Sequence, residues 1–213
     1  MDQAALHTLL LGAWTTAWIS AVAVAGGVPL GLALALLREA RIPVVGHIIV
    51  LYVSLGRATP LVTLVLFIFV GAPLLGIPLD RYTAAIVTLL LNTAAFNAEV
   101  WRAAIRSFPH EQVEAARAAG MTRVLIFRRI MLPQIWITSL PGLVNEMTFL
   151  IKASPAIGVI GIVDLTRVTN RISAITYEPL PPILVAAALY MVAIGTLVRL
   201  QRLLDARAQR LAM

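Results

Sequence analysis

Between Leu9 and Leu37 no ionisable residue interrupts an apolar run, and Arg38 and Arg41 follow at once. A stretch of that kind is long enough to cross a bilayer as one helix, with some tilt. The next run, Pro43 to Leu55, leads into Gly56, Arg57, Ala58, Thr59 and Pro60. Pro60 removes a backbone donor and disfavours helical geometry at Thr59, so a break belongs there. Pro60 to Leu75 is apolar for only roughly 24 Å at 1.5 Å per residue, too short to cross alone. The two pieces therefore count as one crossing. Gly71, Pro73, Gly76 and Pro78 punctuate a turn, after which Arg81 and Tyr82 open a third crossing at an interface. Pro133 to Ile151 and Leu180 to Leu200 supply the fourth and fifth. The pattern predicts an all-α integral membrane protein: one transmembrane domain, 1–213, with crossings near 9–37, 43–75, 82–106, 133–152 and 180–200.

Orientation follows from the basic residues. Arg38 and Arg41 flank the end of the first crossing, and Arg199, Arg202, Arg207 and Arg210 flank the end of the last. Such residues gather on the cytoplasmic side, which places the N-terminus outside and the C-terminus in the cytoplasm. The segment before Leu9 holds Asp2 and no Lys or Arg, unlike the basic start of a cleaved signal peptide, so the first crossing is expected to be retained. Ala153 to Pro179, with Asp164, Arg167, Arg171 and Glu178 among Gly and Ser, reads as an outer or partly re-entrant stretch.

Within the third crossing the polar residues are not scattered. Thr88, Asn92, Glu99, Arg102 and Arg106, with Ala95 between them, all fall within about 40° of Thr88 at the helical period. A line of that kind is costly against lipid. It either lines a polar pathway ending at the cytoplasm or glues helices together, with Arg102 and Arg106 snorkelling. The fourth crossing carries Asn145, Glu146 and Thr148 ahead of Lys152. Asn145 and Lys152 share a face while Glu146 lies about 120° from Lys152, so these residues cannot all meet one ligand.

Composition narrows the function. The chain is 60% hydrophobic and 13% charged, where a soluble domain is roughly 25% charged, which sets a soluble enzyme aside. Its net charge of +7 suits the anionic inner leaflet, and nucleic acid is not an expected partner. Cysteine is absent, and His7, His47 and His110 are too far apart for a local ligand cluster, so no metal site is expected. The single lysine, Lys152, is followed by Ala153, so the phosphate-cradling G-x-x-x-x-G-K-[ST] loop cannot occur. No catalytic residue is assigned, and any ATP with its magnesium must bind another subunit.

Ser107 to Leu132 is too charged for hydrocarbon and is read as a cytoplasmic loop, 107–132. Pro109, Glu111 and Gly120 mark the start, first turn and left-handed stop of a helix of about ten residues. Val113, Ala116 and Ala119 or Gly120 share one side, a low-profile apolar face suited to seating in a groove on another protein. The loop also reads Glu114-Ala115-Ala116, then Gly120, then Ile130 and Leu132-Pro133. This spacing resembles the EAA motif of importer-type ABC permeases. Arg57-Ala58-Thr59-Pro60, the run from Asn97 to Arg102, the run from Phe127 to Gln134, Asn145-Glu146 and the run from Asp164 to Arg167 are similar to the polar amino acid branch, which carries histidine, arginine, glutamine, glutamate and opines.

The resemblance implies the type I ABC importer permease fold in a bacterial inner membrane. It implies a second permease chain, identical or homologous, two cytoplasmic ATPases, an external solute-binding protein and a polar amino acid substrate. Glu114, Ala115, Ala116 and Gly120 would then lie in the coupling helix that docks on the ATPase. Asn92, Glu99, Glu146, Lys152 and Ser154 become candidates for the substrate pathway, and Arg57, Thr59, Pro60, Asp164 and Arg167 for structural or gating roles. Arg57 has an alternative, bonding carbonyls freed at the Pro60 break. Two departures matter: Ala58 stands where the family usually has glycine, and Ala153 where it often has aspartate. Losing that aspartate removes a partner for a cationic solute, so a basic substrate does not carry over. Two other classes remain: a secondary transporter or channel, which should show inverted repeats, and a membrane anchor that recruits a cytoplasmic enzyme.

Overall fold

The computed structural model describes residues 2–40 and 42–211, with side chains as far as Leu203. Arg41 and the side chains of Arg207 and Arg210 lie outside the described residues. Among these residues every regular element is helical. The helices are α1 (Gln3–Glu39), α2 (Pro43–Ala58), α3 (Leu61–Leu74), α4 (Arg81–Arg106), α5 (His110–Ala118), α6 (Arg123–Ile126), α7 (Leu132–Ala153), α8 (Leu165–Thr176) and α9 (Leu180–Leu211). Four continuous helical stretches are long and apolar enough to cross a membrane, and the α2–α3 pair makes a fifth if counted as one broken span.

The break falls at Thr59 and Pro60, where α2 and α3 meet at 114°. Thr59 answers the break itself: its amide and its hydroxyl both donate to the Leu55 carbonyl, at 3.0 and 2.8 Å. Pro60 begins the next helix, where a missing N–H costs nothing.

The frame is built on α1 against α4. Trp18 stacks on Tyr82, Gly27 meets Thr93, Gly31 meets Asn97 and Glu39 meets Arg106, so the two helices run parallel. Their closeness depends on missing side chains. A Cβ at Gly27 would stand 2.0 Å from the Thr93 methyl, and one at Gly31 would stand 2.8 Å from the Asn97 Cβ. Small residues four apart allow backbone approach in a medium that supplies no hydrophobic drive between helices. One core layer joins α1 and α4 to the segment after α7 through Ile19, Ala23, Leu89 and Ile157. A second joins Ala35, Trp101, Ile135 and Leu143 at the other end. There the Trp101 indole donates to the Val28 carbonyl at 3.1 Å, beside Pro29, whose missing N–H loosens the helical ladder.

One expectation changes here. The segment read as loop 107–132 turns helical again at Arg123, under a Thr122 cap, and passes through a π turn (Phe127–Met131) into α7. The Leu132 amide reaches back five residues to the Phe127 carbonyl, a widened turn that lets the helix admit Pro133 near its start. The expected crossing therefore belongs to a much longer helix. The outer stretch after Ala153 is also ordered, as a 3-10 turn (Ser154–Ile160) followed by α8. Asp164, with 0% of its surface exposed, caps α8 by accepting from the Thr166 and Arg167 amides at 3.1 and 3.2 Å.

Candidate solute cavities and docking helix

Along α4 the side chains at positions 92, 96, 99 and 102 line two adjoining cavities. The first, about 320 Å³, is bounded by Thr59, Asn92, Phe96, Glu146 and Ala153. Asn92 is held by the α2 backbone, its amide donating to the Gly56 carbonyl at 3.0 Å. Glu146 reaches this cavity from α7 and is half-buried, with no hydrogen-bond partner among the described residues. A neutral donor and acceptor facing a carboxylate, with apolar walls from Phe149 and Leu150, make a site for a small polar molecule bearing a cationic or amide group.

The second cavity, about 490 Å³, is charged. Arg38 from α1, Arg57 from α2 and Glu99 with Arg102 from α4 line it, and Phe96 forms a wall common to both cavities. Glu99 accepts from two guanidinium groups: Arg38 on one oxygen and Arg102 on the other, with the Arg102 Nε at 3.0 Å. Arg57 lies over the Phe96 ring with its guanidinium carbon 5.5 Å from the centroid. A second ion pair, Arg106 to Glu39 at 2.8 Å, closes the ends of α1 and α4.

The predicted stripe is thus split. Asn92, Glu99 and Arg102 face cavities, but Thr88 is fully buried with its hydroxyl spent on the Ala84 carbonyl at 2.6 Å, and Ala95 packs under Gly56. Ser154, a pathway candidate, is also turned away: it is 0% exposed and its hydroxyl donates to the Ile151 carbonyl at 2.8 Å. Lys152 is exposed, with its ammonium 5.8 Å from the Phe149 centroid, on a different face from Glu146 as the helical period requires. Arg57 does not take the carbonyls at the break: that of Leu55 accepts from Thr59, and that of Gly56, freed by Pro60, accepts from Asn92. Phe96 and Arg38 were not singled out by sequence. Phe96 lies about 80° from Thr88, at the edge of the stripe, and Arg38 served only as an end marker until the packing of α1 on α4 gave it Glu99.

Asp164 and Arg167 sit together away from both cavities, the Arg167 guanidinium donating to the Gly158 carbonyl and so closing the 3-10 turn onto α8. Burial pushes the Asp164 carboxyl up from its ordinary range, opposed by the amides of Arg167 and Thr166. At the start of α4, the Thr83 hydroxyl and amide hold Asp80 below the usual carboxylate range. No group of three or more His, Asp or Glu side chains capable of holding a metal occurs among the described residues.

The short helix α5 ends as its sequence predicts. Gly120 has φ +78°, and the Gly120 and Met121 amides return to the Arg117 and Ala116 carbonyls at 2.9 and 3.0 Å. Its orientation corrects the expectation. Ala116 is 6% exposed and Val113 packs with Trp101 and Ile135, so the small apolar face is turned inward. Glu111, Glu114, Ala115 and Ala118 form the free face, with Gly120 exposed beyond it. The exposed side of α5 is therefore its charged one, and Ala116 anchors the helix to the body of the protein.

Several known proteins resemble this chain. The chain is 33% identical to the octopine transport system permease protein OccM of Rhizobium meliloti over 195 residues, covering 86% of this chain and 78% of that protein. It is 35% identical to the arginine transport system permease protein ArtQ of Bacillus subtilis (strain 168), covering 86% and 84%. It is 32% identical to the glutamine transport system permease protein GlnP of Escherichia coli (strain K12), covering 88% and 87%. A chain from the crystal structure of an amino acid ABC transporter with histidines superposes with a TM-score of 0.86 at 33% identity, over 95% of this chain and 94% of that one. A chain of the MetNI methionine ABC transporter in inward-facing form shares the fold, with a TM-score of 0.82 at 20% identity over 98% and 99%. Residues 27–210 match the family described as binding-protein-dependent transport system inner membrane component, and the chain belongs to that family.

Proposed function

We propose that this chain is the permease subunit of an ATP-driven importer that carries a polar amino acid or related small solute inward by alternating access. The observation that carries the reading is the span of α4: it presents Asn92, Glu99 and Arg102 to the two cavities and leads, four residues after Arg106, into the exposed helix α5. One element thus joins a polar cavity to a docking surface. The names and structure of the relatives support an amino acid as the solute. Asn92 and Glu146 are its first ligands in this reading, and Ala153, in place of an acidic residue, favours a neutral side chain over a cationic one.

Two ATPase subunits bind the ATP and Mg²⁺, and their grooves receive the Glu111, Glu114 and Ala115 face of α5. This chain hydrolyses no nucleotide. A second permease chain, identical or homologous, completes the pathway about a two-fold or pseudo-two-fold axis. An external binding protein delivers the solute, and ATP shifts the population between outward- and inward-open forms through its different affinity for the two.

The test is reconstitution of the complete assembly in vesicles. Gly120→Trp, at a position that needs positive φ, should abolish the hydrolysis stimulated by the loaded binding protein while leaving the chain in the membrane. Glu146→Gln should lower uptake at least about tenfold without that loss of coupling. Undiminished stimulated hydrolysis in Gly120→Trp, or sustained uphill accumulation by the purified chain with no companion, overturns the proposal.

A further inference from the structure

The charged cavity holds more positive charge than its own residues balance. Three guanidinium groups, those of Arg38, Arg57 and Arg102, line it with one carboxylate, Glu99. Glu99 pairs with Arg38 and Arg102, while Arg57 is within Coulombic reach of Glu146 in the adjoining cavity. An arginine carries five N–H donors. Arg102 uses two of its nitrogens on Glu99 and Arg38 uses one, so each keeps unspent donors. Arg57 makes no hydrogen bond to any described residue, and its guanidinium carbon stands over the Phe96 ring, 5.5 Å from the centroid. A cation–π contact of this kind consumes no donor, so the guanidinium stays free to take a planar anion by two parallel bonds. The cavity adjoins the Glu146 cavity through Phe96. From Asn92 to Glu99 the rise along α4 is about 10 Å, short enough for one small zwitterion to engage both sides of Phe96 in succession.

We propose that this second cavity is a carboxylate subsite: Arg57 is its principal ligand, Arg38 and Arg102 complete it, and Glu99 is a resident counter-ion that keeps those two arginines together when no solute is present. The inference rests on the reading of the Glu146 cavity as the solute site and adds a requirement to it, namely an anionic group on the solute. Lysine would supply the charge but not the fork, so Arg57→Lys keeps only part of the effect.

The experiment measures equilibrium binding to the permease–ATPase complex in lipid nanodiscs, with L-glutamine and L-arginine as probes against L-glutaminamide and L-argininamide, which lack the carboxylate. Wild type should bind the acids about tenfold or more tightly than the amides. Arg57→Gln should remove that preference by weakening the acids alone, and Arg57→Lys should restore part of it. Equal affinity for acid and amide in wild type, or a preference that survives Arg57→Gln, overturns the subsite. Glu146→Gln separates the two readings. If it weakens acid and amide alike while Arg57→Gln leaves the preference intact, only the carboxylate subsite fails. If neither acid binds wild type, or Glu146→Gln changes neither affinity, the solute-site reading fails with it.

Discussion

Helices α4 and α9 are both apolar enough to cross a bilayer, yet half of the most apolar window of α4 is buried inside the protein and only 6% of that of α9. The buried helix is the more polar one. Thr88, Thr93 and Asn97 of α4 are almost fully enclosed, whereas Leu184, Met191 and Val192 of α9 are open to the surroundings. In water that would be an inverted protein. In lipid an exposed leucine is already solvated, so the interior goes to small residues that let backbones touch and to polar groups that bond there. Thr88 bonds to Ala84 and the Asn97 amide to Thr93, although the Asn97 Oδ1 meets no partner among the described residues. The permease is accordingly held along α1 and α4 by close approach and ion pairs, and α9 adds span more than packing.

The comparison breaks most visibly at Gly27. Gly27→Leu drives a side chain into Thr93 and the α4 backbone, at a cost of about 3 kcal/mol, the upper end for overpacking. The folded peak in fluorescence-detected size exclusion should collapse, and an unchanged melting temperature would show that α1 and α4 are not the frame. Glu99→Gln is a smaller test of the same contact. It leaves Arg38 and Arg102 facing each other without their carboxylate, at about 1–3 kcal/mol, between the values for exposed and buried pairs. Uptake should fall while ATPase assembly persists, as read by co-purification; wild-type uptake kinetics would leave the pair with no transport role. Leu184→Ala, on the open face of α9, is the contrast, expected to move stability by no more than about 0.5 kcal/mol in the same melting assay.

What could be read along the chain was what a residue decides by itself or with close neighbours. Pro60 announced the break, Gly120 the left-handed stop and Arg38 the end of the first crossing, because proline, glycine and bilayer charge rules act locally. What could not be read depended on which surface met which. The period of α5 showed that Val113 and Ala116 share a side, but not that Trp101 and Ile135 would cover that side and leave the charged one exposed. The α4 stripe likewise gave the direction of Asn92 and Glu99, but not that tertiary packing would enclose Thr88 completely. Arg123, a charged residue ahead of a proline, looked like loop; the Thr122 cap and the widened turn made it helix.

From Arg123 to Ile160 the chain is one hydrogen-bonded rod of 38 residues, roughly 57 Å at 1.5 Å per residue, nearly twice the ~30 Å of hydrocarbon it must traverse. Glu146 rides on that rod, and α5 is tied to it by the Gln112 to Gln134 hydrogen bond at 2.9 Å. A tilt imposed at the Arg123 end thus reaches Glu146 with no slack linker to absorb it, so the outline of the Glu146 cavity is set partly by where that distant end is held.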